Sequence, residues 1–513
     1  MKRNTLTTAV LAGLTGMAGM VSVSNAVNVN PDGLGQVLLY PYYTAHGDND
    51  TLISIVNTTD EGKAVKIRFI EALNSREVLD FNIYMSAYDV WAAAITRDES
   101  TGGGMIRFND TTCTAPYLLE TKGGEQEFLR GAYIGAADDG GPQGHDRTLS
   151  GYVEVIEMGV LTGAAANAAE HVNGVPPNSG VEEKPCSLFT ERWITSSAAN
   201  GTGEWGPPGN PGFESANYEI DPPSGGLFGS GAVLNVENGT MFSYNATAID
   251  GFWAEQGEHT DPENLFPSLG SGTRFDSTVF VNGDISDTNW APADNIHALN
   301  HVLSYETLMN EYAIENAIGG SSEWVVTFPT KRFHTDAAPQ GPIEGDTEAV
   351  PPFTSVWTAD SPIACEELNL SVWDREEQTP DVEGGIGVSP STTIEDVFEL
   401  CREANVIRFS NDESLPDSSE IFGEPSSDVT DLAGYGYVNF NLPSDFQHGW
   451  ARFDFGNFRS VSSMEGLQVV GLPVIGFWAN TYTAGGVAEG TLANYGGAFA
   501  HRGSRTDLVS ADD

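Results

Sequence analysis

The sequence predicts a mainly β protein: two β-sandwich-like, immunoglobulin-like domains with long acidic loop insertions and one helix near 294–315. Three observations carry this prediction. Short runs rich in Val, Ile, Phe and Tyr recur at spacings of ~8–14 residues. Clusters of Gly, Pro, Asn and Asp separate them. Sustained helical periodicity is confined to a single long stretch.

In chain order, strands are expected over Gly35–Thr44, Thr51–Asn57, Ala64–Ala72, Glu77–Met85, Tyr88–Thr96 and Met105–Phe108. Val65, Ile67 and Phe69 alternate with Lys66 and Arg68, which reads as one buried face and one wet face. Thr58 to Gly62 reads as a hairpin loop. Gly151–Glu157 is a further strand. Residues 161–215 change to Ala, Asn, Gly and Pro and read as a long insertion, with one short helix around Cys186 to Ile194. Asn238-Gly239 between Val233–Val236 and Met241–Tyr244 is a type I′ hairpin signal, because both turn residues need positive φ.

Beyond Ala248–Trp253 and an acidic loop, Ile296, Leu299 and Leu303 form one stripe of the expected helix, extended by Leu308, Met309 and Tyr312 after a slip near Ser304. Strands follow at Trp324–Phe328, Leu368–Trp373, Asn405–Phe409, Tyr435–Leu442, Trp450–Phe455, Leu467–Trp478 and Thr491–His501. The expected organisation is a signal peptide over 1–26, an N-terminal sandwich over 27–250 and a C-terminal β-rich domain over 251–513.

The N-terminus supports export. Lys2 and Arg3 precede the uncharged stretch Thr5–Val23, and Ser24-Asn25-Ala26 offers a cleavage site after Ala26. No later stretch approaches ~18 uninterrupted apolar residues, so no transmembrane segment is expected. The four cysteines, Cys113, Cys186, Cys365 and Cys401, are even in number and fit an oxidising compartment. Of three connectivities, Cys113–Cys186 and Cys365–Cys401 keep each bridge within one half of the chain.

Charge narrows the function. The 513 residues hold 23 Lys and Arg against 72 Asp and Glu, a net charge of −49. Such a surface repels phosphate backbones, which argues against nucleic acid as a partner. Phosphate loops, the G-x-S-x-G elbow and H-E-x-x-H are all missing. His297 and His301, with Asp294, share one face of the expected helix at metal-ligand spacing, but Ala298 stands where a metalloprotease needs Glu. Asp48-Asn49-Asp50, Asp138-Asp139, Asp284 with Asp287, and Asn411-Asp412-Glu413 offer oxygen ligands of the kind Ca²⁺ takes, without an EF-hand pattern. Tyr40-Pro41-Tyr42-Tyr43, Phe252-Trp253 and Phe477-Trp478 would stack on sugar rings if exposed and fill a core if not.

Gly35–Ile95, Trp324–Phe333 (WVVTFPTKRF) and Gly471–Ala479 (GLPVIGFWA) resemble three blocks of uncharacterised secreted β-rich proteins of Gram-negative bacteria. The resemblance implies export and a shared β-rich scaffold; it carries over no activity and no site residues. The expectation is therefore an exported, non-enzymatic cell-surface or extracellular protein with a structural, adhesive or matrix role. Its partners would be glycans, matrix or further copies of itself, and Ca²⁺ is the one cofactor considered. The alternatives are an extracellular hydrolase of polysaccharide or ester substrates, and a periplasmic solute- or metal-binding module.

Overall fold

A computed structural model describes residues 26–171, 186–193, 205, 219–262, 264–281, 283–339, 341–379, 397–412, 415, 418–423, 437–456, 460–483 and 493–509. The signal-peptide expectation falls almost wholly outside them, as do Glu413 and most of the 161–215 insertion.

The chain is mainly β, built from antiparallel sheets with few helices; one pair, 404–410 with 437–441, is parallel. Four large sheets pack in pairs. Sheet A orders its main strands as 28–29, 247–250, 37–44, 150–161, 62–71, 77–85 and 113–115. Sheet B runs 240–245, 227–235, 49–57, 90–97, 104–107 and 125–127. Val65, Ile67, Phe69, Phe81 and Val155 of sheet A meet Ile53, Ile55, Trp91 and Ile95 of sheet B in one core. Sheet C orders 397–400, 366–374, 448–454, 307–313 and 502–504; sheet D orders 437–441, 404–410, 320–327, 475–483 and 494–500. Trp324, Val326, Ile407 and Phe409 of sheet D face Leu370, Val372, Ala451 and Phe453 of sheet C.

The alternate residues of sheet D's strands turn the other way. Val325, Val406, Phe477 and Ala479 join the core of the first sandwich. Tyr244 stacks on Phe477 at 4.9 Å, and Tyr42 meets Phe422 edge-on at 5.3 Å. Thr327 Oγ1 donates to Pro41 O at 2.6 Å, and Glu403 N to Ala72 O at 3.1 Å. The strands 404–410, 320–327 and much of 475–483 of sheet D are thus buried on both faces, between the two cores, while its edge strand 494–500 is largely exposed.

Four expectations change. Strands 227–235 and 240–245 do form a hairpin, but Asn235 pairs with Thr240, so the loop has four residues and Gly239, not Asn238, takes positive φ; Asn238-Gly239 is not a two-residue type I′ turn. The segment expected as helix over 294–315 is helical only over Ile296–Leu303. From Thr307 to Ala313 it is a strand, hydrogen-bonded to 448–454 on one side and 502–504 on the other. The slip at Ser304 marks the change, and two distant pairing partners outweigh a local periodicity that both conformations satisfy. Thr58–Gly62 is not a hairpin: strand 49–57 belongs to sheet B and 62–71 to sheet A, so the loop arches between the layers. The face of sheet A that carries Lys66 and Arg68 is not wet, since both are at most 1% exposed.

That outer face is covered in three patches. Phe252, Trp253, Leu269, Trp290 and the helix 296–303 lie over Val37, Leu39, Ile156 and Ile249. Helices Gly163–Ala169 and Ser187–Trp193 lie over Ala64, Tyr84 and Met158. The segment around Asp261 and Asn264 lies over the basic residues. Cys113 is bonded to Cys186, and Cys365 to Cys401. No helix among the described residues is long and apolar enough to cross a membrane.

Candidate functional site

The charged patch under that cover is built by one irregularity. Phe69 pairs with Leu79 but Ile70 pairs with Glu77, so Val78 is an extra residue, a β-bulge. Residues three apart on a regular strand face opposite ways. The bulge turns Glu77 onto the face that carries Asp80. Leu129 N caps the bulge by donating to Val78 O at 2.7 Å.

Both carboxylates then meet cations. Arg68 Nε donates to Glu77 Oε2 at 2.6 Å, and its Nη1 donates to Glu154. Lys66 Nζ donates to Asp80 Oδ2, Asp261 O and Asn264 O, each at 2.9 Å, which uses all three of its protons. Burial, then the neighbouring Glu77, pushes Asp80 up to about 7 against the opposing pull of Lys66. Above the pair opens a groove of about 610 Å³ whose walls include Arg76, Arg332, Leu129 and Leu265.

A second charged centre closes the end of the sandwich. Arg147 donates Nε and Nη2 to Glu71 at 3.0 Å each, and Nη1 to Asp139 at 2.8 Å. Glu71 also accepts the backbone N–H groups of Leu73, Asn74 and Arg76, fixing the 71–76 turn. Burial alone would raise Asp139, but Arg147, Asn74 and the Gly141 N–H hold it below the usual carboxylate range.

Glu403 lies at the joint with sheet D. It is fully buried, and neither of its carboxylate oxygens reaches a hydrogen-bond donor among the described residues. Lys331 donates instead to the carbonyls of Ala364 and Cys401, at 2.6 and 2.9 Å. Burial therefore pushes Glu403 up to about 8, opposed by Lys331. Burial likewise pushes Glu323 up to about 7, and His46, His259 and His334 down to about 3.

These shifts set the sign of the pH dependence. The raised carboxyls hold protons in the fold that the unfolded chain releases. Their contribution is full below about 4.5 and is lost as pH climbs toward 8. The buried histidines are neutral in the fold, so theirs is full above about 6.5 and lost as pH falls. Between pH 6.5 and 8 only the carboxyls act. The melting temperature is expected to fall across that interval, and Glu403→Gln to flatten the fall. A differential-scanning series that rises from pH 6.5 to 8 would contradict this.

The residues singled out in the sequence land elsewhere. His301 is hydrogen-bonded to Ser277 Oγ at 2.8 Å and Asp507 Oδ2 at 3.2 Å, whereas His297 lies beside Asn300 and His334. The two imidazoles have different partners and do not converge on one ion. Asp294 ends the turn before the helix. Asp139 belongs to the Arg147 pair, Asp287 accepts from Thr278, Asp138 accepts from Gly140 N, and Asn49 is buried between Asp48 and Asp50. Among the described residues none of these acids gathers into a group of three ligands. The one such group holds Cys365 and Cys401, whose sulfurs are bonded to each other. Tyr40, Tyr42, Tyr43, Phe252, Trp253, Phe477 and Trp478 are all core residues, so they form no exposed sugar-stacking face.

An aromatic surface pair does exist, at two residues that the sequence places inside ordinary strands. Trp373 and Trp450 are cross-strand neighbours on the outer face of sheet C, their rings stacked at 4.2 Å and 13°. Trp450 is 37% exposed. Arg452 lies over Trp373 at 5.5 Å, and Glu311 stands opposite Trp450 in the register. Comparison with protein-family models, with curated proteins and with solved structures finds no match to this chain.

Proposed function

We propose that this chain is exported and acts outside the cytosol as a non-enzymatic adhesive or structural protein that holds carbohydrate-bearing surfaces through sheet C. The observation that carries this reading is the Trp373–Trp450 pair, an amphipathic aromatic platform on an open sheet face with Glu311 and Arg452 beside it. Indole faces stack on the C–H faces of sugar rings, while carboxylate and guanidinium groups bond their hydroxyls. The two disulfides and the N-terminal pattern support export.

Removing one aromatic contact of about 1.4 kcal/mol corresponds to a tenfold loss of affinity. Trp450→Ala is accordingly expected to weaken binding of the mature protein to insoluble polysaccharide or whole cells about tenfold, with circular dichroism unchanged. Equal binding by the variant, or none by the parent, overturns the reading.

A hydrolase is the second reading. The Val78 bulge favours it by setting two carboxylates in one groove. It ranks second because Glu77 and Asp80 are each tied to a buried cation. Turnover of any glycosidic or ester substrate that Asp80→Asn abolishes would promote it.

A further inference from the structure

The groove beside the Val78 bulge has features that neither the ion pairs nor the adhesive reading accounts for. In a chain with 23 basic residues against 72 acidic ones, three arginines line this one concavity. Arg68 is paired with Glu77 through Nε and with Glu154 through Nη1. Arg76 has its side chain 9% exposed; it stands 3.7 Å from Asp139 and 3.4 Å from Asp336, and its Nε and Nη2 have no hydrogen-bond acceptor among the described residues. Arg332 reaches Ser75 O at 3.3 Å through Nη1, and its Nε is buried without an acceptor among the described residues.

Both guanidinium groups are held where they are. Glu71 fixes the backbone of Arg76, and the 71–76 turn carries Ser75 at φ +52°, a left-handed conformation unfavourable for a non-glycine residue. Ser75 Oγ is anchored to Tyr152 OH at 2.9 Å. Arg76 on this rigid turn and Arg332 beside it thus hold buried N–H groups that no acceptor among the described residues satisfies, and a buried donor without an acceptor is destabilising.

The rest of the groove is of opposite character. Leu129 and Leu265, 51% and 58% exposed, line it with Pro262 and Phe81. An apolar wall next to a few fixed polar groups is the usual composition of a small-molecule site. Planar guanidinium donors match the two oxygens of a carboxylate. Glu77 and Asp80 also line the groove and would repel a dianion, so a single negative charge fits best.

We propose that this groove binds a small organic monocarboxylate, its carboxylate on Arg76 and Arg332 and its apolar body between Leu129 and Leu265. The inference is independent of the adhesive reading, which concerns sheet C.

The test is calorimetric titration and thermal shift of the mature, oxidised protein in low salt with benzoate and hexanoate, against benzamide and hexanamide. The acids are expected to bind and to raise the melting temperature; the amides, equal in shape but uncharged, are expected to do neither. Arg332→Gln is expected to weaken acid binding at least tenfold. Leu265→Glu, which changes an exposed residue and leaves the core intact, is expected to weaken it similarly and decides the matter if Arg332→Gln fails to fold. No response to either acid at millimolar concentration overturns the proposal. Equal response to acid and amide, or undiminished binding by folded Arg332→Gln or by Leu265→Glu, does so too.

Discussion

Replacing Arg147 by methionine is expected to lower the unfolding free energy by about 3–5 kcal/mol, the usual result of removing one member of a buried ion-pair network. Arg147 is 4% exposed and serves two carboxylates, Glu71 and Asp139, which have no water to turn to once the guanidinium is gone. Methionine fills much of the volume but leaves two buried negative charges facing each other. The damage would spread along the chain, because Glu71 also ties the 71–76 turn through three backbone N–H groups. Arg147→Lys is expected to recover only part of the loss. A single ammonium cannot reproduce the fork that meets Glu71 through Nε and Nη2 while Nη1 holds Asp139. Adding Glu71→Gln to Arg147→Met removes one of the stranded charges and should restore a measurable fraction. Urea unfolding of the four proteins checks the series; a loss under about 1 kcal/mol for Arg147→Met would show that the network is not holding the sandwich end closed.

The double change Cys113→Ser and Cys186→Ser is expected to cost about 4 kcal/mol, from the chain entropy of a loop closed by a sequence separation of 73. Its effect has a local signature as well. The bridge runs from the edge strand 113–115 of sheet A to the start of helix 187–193. That helix is held by Phe189 stacked on Tyr84 at 4.0 Å and by Trp193 Nε1 donating to Tyr84 OH at 2.9 Å. Trp193 and Trp205 are both buried there against His259. Freed of its tether, the helix should open below the main transition, so tryptophan emission should shift to the red before the far-ultraviolet circular dichroism changes. A single coincident transition at the parent's temperature would show that packing alone fixes the helix.

How far the sequence could be read follows from the range of the interaction that decides each element. The strand Glu77–Met85 is legible to the residue, because its composition and its flanking turn are local. The mainly β class is legible for the same reason. The segment 307–313 is not, since Leu308, Met309 and Tyr312 suit a helix as well as a strand and the deciding partners lie at 448–454 and 502–504. Lys66 and Arg68 alternate as an exposed face should; only the covering segment around Asp261 and Asn264 makes them interior. The site is harder still. Glu77 and Asp80 share a face only through a one-residue shift in pairing, which no single strand announces. Trp373 and Trp450 look like core tryptophans until the register places both on the outward side of sheet C, while the more conspicuous Tyr40–Tyr43 run turns inward.

Sheet D belongs to both cores, and this bears on how such a chain can change over time. Cutting near residue 250 would uncover Tyr42 and Tyr244 on one fragment and Val325 and Phe477 on the other, leaving each with a sticky aromatic wound. Neither half is a module that recombination could lend to another gene. Novelty has to enter through the connecting segments, and the halves must be inherited and degraded together.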